Sequence, residues 1–457
     1  MNNFEELQPT QPESLDSNWY LRFEQLGSFQ AYEYLDGNKQ YREEQKQEFL
    51  NRDITNPTLD YPKIDPDRLL RNEEALLELK KDIIEKEPNE TVKQVYRWRL
   101  NEKIAELRML KAVSEADMRR FKRYSEFVYG KPSPEIFAYT IQNLRETVTS
   151  QSSSDNPDIE QAAEALINLL PSNLSESAGY ELPQESDITT VSQQTLREIG
   201  KLLDVETEVE VKEYTADEIR NIFQASLNNL RAKGWNVVID TSSKSGISVD
   251  QEHREIKIPE SRQLAFAKLR SLVAHEVGTH IARRLNGERS KLQLLGLGLD
   301  RYEKGEEGVA TMREQVLDEK IEDFAGLEGH LAIGLATGVD GKPRDFRAVY
   351  EIMEKYFYFK ALSSGKEPEQ ALKSAQTIAW NRAVRTFRGT DCQTKGICFT
   401  KDIVYREGNI GVWEVVKENP KEMVRFSIGK YDPANERHIW ILDQLGISEE
   451  DLKELGK

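Results

Sequence analysis

"LVAHEVGTHIARRLNG", residues 272–287, sets His275, Glu276 and His280 in a stretch that otherwise reads as a helix. The two histidines are five residues apart. On a regular α-helix each residue turns by about 100°, so positions four apart nearly eclipse, whereas positions five apart diverge by roughly 140°. The imidazoles converge only if the helix widens locally into a π-turn with i→i+5 hydrogen bonds, a distortion frequent at functional sites. Gly278 lowers the resistance to such a distortion, and the Thr279 hydroxyl can bond a freed carbonyl.

Working outward, the helix extends back over "SRQLAFAKLRS" and stops at Asn286–Gly287, a reasonable C-terminal signal. Ahead of it, "VETEVEVKEY" alternates like a strand, and "TADEIRNIFQASLNNLRAKG" opens with a Thr215/Glu218 capping-box pattern. "WNVVID" reads as a strand, and "SGISVDQEHREIKIP" as a hairpin turned near Asp250–His253. The strand "EIKIP" is a candidate edge on which a peptide could add as a further strand. After Gly287 the reading is mainly helical up to a short mixed region around "ICFTKDIVYREGNIGVWEVV". These elements predict an α+β domain over 201–457, with the histidine-bearing helix packed on a small sheet. Residues 1–150 carry helical periodicity, as in "RLLRNEEALLELKKDIIEK". Residues 151–200, rich in Ser, Asp, Asn and Pro, read as a linker or a structured insertion.

The 457 residues suffice for two or more domains. A hydrophobic content of 38% with 31% charged residues describes a soluble, helix-rich chain. No apolar run is long enough to span a bilayer, and the acidic, polar N-terminus lacks a secretory signal pattern. With only two cysteines, Cys392 and Cys398 read as reduced thiols in a cytoplasmic protein. A formal net charge of −17 argues against nucleic-acid binding, which needs basic surface to displace phosphate counterions.

Residue chemistry gives the central motif its sense. Two neutral imidazoles suit Zn²⁺, bound at about 2.0–2.1 Å with a third protein ligand and an open position for water. Zinc lowers the pKa of that water and polarises a scissile carbonyl. Glu276 would take the water's proton and hand it to a leaving amine. The spacing is one residue longer than the H-E-x-x-H of zinc peptidases. For the third ligand, Glu303, Glu306, Glu307 and Glu314 all compete, and spacing does not choose among them. Gly308 and Ala310 would let their helix approach another backbone closely. Arg382, Arg385 and Arg388 recur every three residues near a helix end, and an arginine fork suits a peptide's terminal carboxylate. Lys401 and Tyr405 could supply a cation and a phenol to that carboxylate or to an oxyanion. His253, His330 and His438 read as surface or core residues.

The ordered set "HEVGTHIARRLNG", "GLGL", "EEGVA" and "RTFRGTDCQTKGICFTKDIVYREG", with "NPTLDYP" at Asn56–Pro62 upstream, resembles one family. It is that of the flavohaemoglobin expression-modulating QEGLA-motif proteins, related to the microtubule-associated tyrosine carboxypeptidase. The likeness spans roughly residues 40–440. It implies a zinc metallopeptidase with a zincin-like α+β catalytic domain after a helical region, acting on a peptide or protein C-terminus, with an aromatic residue such as tyrosine as the one removed. By the same resemblance His275, His280 and Glu307 match the zinc ligands and Glu276 the catalytic glutamate. Arg385 and Arg388 fall within the family-like block. The QEGLA element departs from type as Glu306-Glu307-Gly308-Val309-Ala310, which leaves a second carboxylate, Glu306, for an outer role. The rival reading is a zinc-stabilised regulatory or binding protein without turnover. It expects Glu276→Gln to leave function intact.

Overall fold

The structure, a computed structural model, describes residues 14–27, 30–151, 156–172, 174, 179–203, 213–241, 246–318, 321–448 and 450–452. Among the described residues the chain is mixed α+β, mostly helical with two small sheets. Among the described residues no helix is long and apolar enough to cross a membrane.

The N-terminal periodicity resolves into a helical hairpin, Pro66–Lys86 and Glu90–Ser114, each helix capped by the side chain of Asp65 or Asn89. Leu69, Leu76, Leu79 and Ile83 recur at helical spacing and face Val92, Val95, Tyr96 and Leu100 in a buried cluster. That cluster also takes in Leu292, Leu295, Ile428, Tyr431 and Ile441, so early and late parts of the chain share one core. Helices Pro157–Leu169 and Glu185–Ile199 fold within the stretch read as a linker or insertion.

The small sheet has the order β2–β4–β3, from Asn236–Asp240 (β2), Ser248–Asp250 (β3) and Glu255–Pro259 (β4). The hairpin β3–β4 turns at residues 251–254 as its sequence predicts. β4 is not an edge: β2 pairs with it in parallel on one side and β3 antiparallel on the other. Ile256 and Ile258 are fully buried, and burying them requires a covered central strand. Of "VETEVEVKEY", residues 205–212 lie outside the described residues. Glu213–Tyr214 (β1) pair with Leu264–Ala265 (β5), so the chain ahead of Phe266 is extended rather than helical. The Thr215/Glu218 capping box forms as read.

The histidine helix is made of Phe266–His275, a π-helical turn Glu276–Ile281, and Ala282–Arg289. Leu269, Val273, Val277 and Ile281 belong to one buried cluster with Ile256, Ile258, Phe223 and Trp413. The helix runs past the stop expected at Gly287. A Cβ there would collide with Gly296 and Leu295, so this glycine serves a close backbone approach, not a cap. Two further helices frame the site: the glutamate helix Glu303–Leu317 and the arginine helix Pro368–Phe387. The region read as mixed is a short 3₁₀ turn, Thr400–Asp402, running into helix Ile403–Glu418. That helix buries Trp413 and Val412 and packs along the glutamate helix.

Candidate functional site

The π-turn decides where the histidines point. It occupies the interval between His275 and His280, and it brings their rings to a centroid separation of 4.8 Å. Thr279 Oγ1 donates to the Ala274 carbonyl at 2.9 Å, a side-chain bond to the carbonyl five residues back. The Gly278 carbonyl accepts from Arg313 Nη1 at 2.6 Å, and the same nitrogen reaches Thr279 Oγ1 at 3.0 Å. Gly278 itself is not in a glycine-only conformation. A Cβ added there would meet Leu202 Cδ1 at 3.5 Å and the Val273 carbonyl at 3.7 Å, both ordinary contacts. The conformational freedom expected of this glycine is therefore not what shapes the turn.

The glutamate helix lies against the turn at a depth set by small residues. A Cβ on Gly308 would collide with the Gly408 carbonyl, so only glycine lets the two helices meet there. Its four candidate carboxylates go to four different places. Glu307 Oε2 faces His275 Nε2 at 3.9 Å, and ligand atoms of His275, His280 and Glu307 all lie within 4.8 Å of one another. Glu306 Oε1 lies 2.9 Å from His280 Nδ1, while its Oε2 accepts from Arg283 Nη1 at 2.7 Å. Glu314 Oε1 stands 3.4 Å from His275 Nδ1 without completing a hydrogen bond. Glu303 pairs with Lys401. Each histidine thus has a carboxylate at Nδ1, the arrangement that leaves Nε2 for a cation.

The electrostatics follow from this crowding. Burial opposes a charged His275, but Glu314, Glu276 and Glu307 outweigh it and push its pKa up to about 9. Burial raises the Glu276 carboxyl above its ordinary value, with His275 and His280 pulling the other way. Burial also works against Glu306, yet Lys430, Arg283 and the His280 hydrogen bond hold its carboxyl well below the usual range.

Around this centre, Asp402 is buried and accepts from Arg382 Nη1 and Arg385 Nη2, both at 2.8 Å. Arg385 is committed to that pair although its side chain is 46% exposed. Among the described residues Arg388 makes no ion pair; its guanidinium lies over the Phe399 ring, 5.6 Å from the centroid. Lys401 sits between the Tyr32 and Tyr129 rings, at 5.0 and 5.2 Å from their centroids. The Glu307 charge, then burial and Asp402, lift the Tyr405 phenol well above its ordinary value. His330 is buried at 3.2 Å from Glu407, His438 is buried with Nδ1 accepting from Asp432 N, and His253 is an exposed turn residue. None of the three joins the cluster.

Spacing alone did not single out Arg283, Arg313, Lys430 or Tyr32. Arg283 and Arg313 sit among many surface-like arginines in sequence, and only their burial sets them apart. Tyr32 comes from the short helix Ala31–Tyr34, and burial raises its phenol, with smaller contributions from the Glu33, Glu303 and Glu307 charges.

One family model, described as the microtubule-associated tyrosine carboxypeptidase, matches residues 180–321 and 368–450. The first segment holds His275, Glu276, His280 and Glu307, and the second holds Arg385, Arg388, Lys401 and Tyr405. No curated protein and no solved structure matches the chain.

Proposed function

The chain is related to the microtubule-associated tyrosine carboxypeptidase family, and from that relation we propose that it is a zinc-dependent carboxypeptidase of zincin-like architecture. Its substrate would be a peptide or protein C-terminus, and the family's name points to tyrosine as the residue removed. The observation that carries the reading is the convergence of His275, His280 and Glu307 within 4.8 Å, with Glu276 next in sequence to the first of them.

The donor set fits zinc. Two imidazoles and one carboxylate leave a position open, and ligands at about 2.0–2.2 Å from one ion can span the 3.9 Å between His275 Nε2 and Glu307 Oε2. The surplus of carboxylates around His275 favours a cation at this spot. When bound, zinc would bring a water's pKa toward 7 and polarise the scissile carbonyl.

The protein's own groups account for the rest. Glu276, its carboxyl raised by burial, accepts a proton from the attacking water at a carboxylate oxygen and returns it to the leaving amine nitrogen. Tyr405 keeps its proton at neutral pH and can donate its O–H to the oxygen on which charge develops. Arg388, free of any ion pair among the described residues, is the guanidinium available to a terminal carboxylate. Arg385 is held by Asp402, and Lys401 is paired with Glu303.

The test is hydrolysis of peptides ending in Tyr or Phe with a free carboxylate, alongside elemental analysis for zinc. Expected are one equivalent of zinc, release of the terminal residue, and loss of turnover by about 10²-fold or more in Glu276→Gln with zinc retained. Undiminished activity in Glu276→Gln would sink the mechanism, and stoichiometric zinc without any turnover would favour the regulatory reading.

A further inference from the structure

A π-turn is costly to maintain, and its glycine does not explain it. Gly278 accepts a Cβ without a clash, so the backbone there is not glycine-dependent. Beyond the Thr279–Ala274 bond, what holds the turn comes from elsewhere in the chain. Arg313, 3% exposed, projects from the glutamate helix two turns beyond Glu306. Its Nη1 donates to the Gly278 carbonyl and reaches Thr279 Oγ1, the hydroxyl that itself bonds Ala274. Its Nη2 is held from behind by Glu198 and by Ser427 Oγ, the latter at 3.1 Å. One guanidinium thus joins the carbonyl midway between His275 and His280 to the helix that carries Glu307.

We infer that Arg313 is a positioning residue for the metal site, clamping the π-turn so that both imidazoles face Glu307. The inference rests on the proposed metal reading. Without the clamp, the turn can relax toward α-helical hydrogen bonding, and residues five apart then rotate away from one another. The planar, five-donor fork is what lets one side chain serve the carbonyl, the hydroxyl and Glu198 together, and a lysine cannot do so. Glu198 orients the guanidinium but does not touch the turn, so its loss should matter far less.

The experiment measures Zn²⁺ affinity by competition with a chromophoric chelator, and the visible absorption spectrum of Co²⁺ in the same site, on the full chain. Thr279→Val, Arg313→Lys, Arg313→Met and Glu198→Gln are compared with the unsubstituted protein, with far-ultraviolet circular dichroism as the check on folding. The expected result is a 10–100-fold weaker Zn²⁺ affinity and an altered Co²⁺ spectrum in Arg313→Met and Arg313→Lys, the range typical of groups that orient metal ligands. Thr279→Val, which removes only the hydroxyl, should shift affinity in the same direction, and Glu198→Gln should stay within about threefold of the parent. Folded Arg313 variants with parental affinity and spectrum would overturn the inference. So would an equal loss in Glu198→Gln, which would mark a general loss of stability. Should Arg313→Met fail to fold, Thr279→Val and Arg313→Lys decide alone. Failure of the unsubstituted protein to bind Zn²⁺ would instead remove the metal reading and the inference together.

Discussion

His280 Nδ1 lies 2.9 Å from Oε1 of Glu306, the residue immediately before Glu307 on the glutamate helix. Successive helix positions differ by about 100°, so these two carboxylates address different nitrogens and cannot exchange roles without rotating the whole helix. Glu306 is also the counter-charge of two buried cations, Arg283 and Lys430.

Glu306→Ala should therefore cost stability as well as metal affinity. Leaving Arg283 and Lys430 buried without their anion is expected to destabilise the fold by about 3–5 kcal/mol. Urea unfolding followed by circular dichroism measures this, and a loss below about 1 kcal/mol would contradict the assigned network.

Glycines 278 and 308 should respond oppositely to alanine. Gly278→Ala is expected to lie within about 1 kcal/mol of the parent, since its Cβ meets only ordinary contacts. Gly308→Ala drives a Cβ into the Gly408 carbonyl and should cost about 1–3 kcal/mol as the helices are forced apart. Thermal melting of the two variants distinguishes them, and equal effects would mean that the helix contact is softer than the structure has it.

Arg388 and Arg385 should separate kinetically. With peptides bearing a free C-terminal carboxylate, Arg388→Met is expected to reduce kcat/KM by about 10–100-fold, mainly through KM, a loss of roughly 1.5–3 kcal/mol for a charge-assisted bond. C-terminally amidated peptides should barely notice the change. A variant that loses both substrates equally would place Arg388 in the structure rather than in recognition.

His438 gives the fold a defined acid sensitivity. Burial, with Arg437 adding to it, pushes its pKa down to about 3. The unfolded state binds the proton more readily from about pH 6.5 downward. The stability His438 contributes is thus fully present above that pH and lost as pH falls toward 3, at up to about 1.4 kcal/mol per pH unit. His438→Asn keeps an acceptor for Asp432 N but cannot titrate. The stability gap between parent and variant, measured by urea unfolding, should shift against the parent by roughly 2 kcal/mol between pH 6 and pH 4.5. A gap constant over that interval would refute the burial of a neutral imidazole.

Much of the fold was legible because its signals are local. The period of the N-terminal helices, the Thr215/Glu218 capping box and the β3–β4 turn each lie within a few residues of the groups they bond. The misreadings share one cause, which is packing by distant segments. β4 became central because β2 pairs beside it, and Gly287 read as a stop although it faces Gly296. Residues 403–418 became one helix because they bury Trp413 against the glutamate helix.

By itself, the sequence determined that His275 and His280 could converge only through a π-turn, since five-residue spacing on an α-helix sends side chains apart. It also narrowed the carboxylates to one later segment, residues 303–314, which the structure shows to be a single helix. Only the tertiary structure decided which of Glu303, Glu306, Glu307 and Glu314 faces which partner. That choice depends on the azimuth of one helix against another, set by the Gly308–Gly408 contact. The brace on the turn was likewise invisible in sequence, because Arg313 lies 35 residues from the carbonyl it holds. Local spacing can demand a strained turn, but a buried partner from elsewhere in the chain must satisfy the groups that the turn sets free.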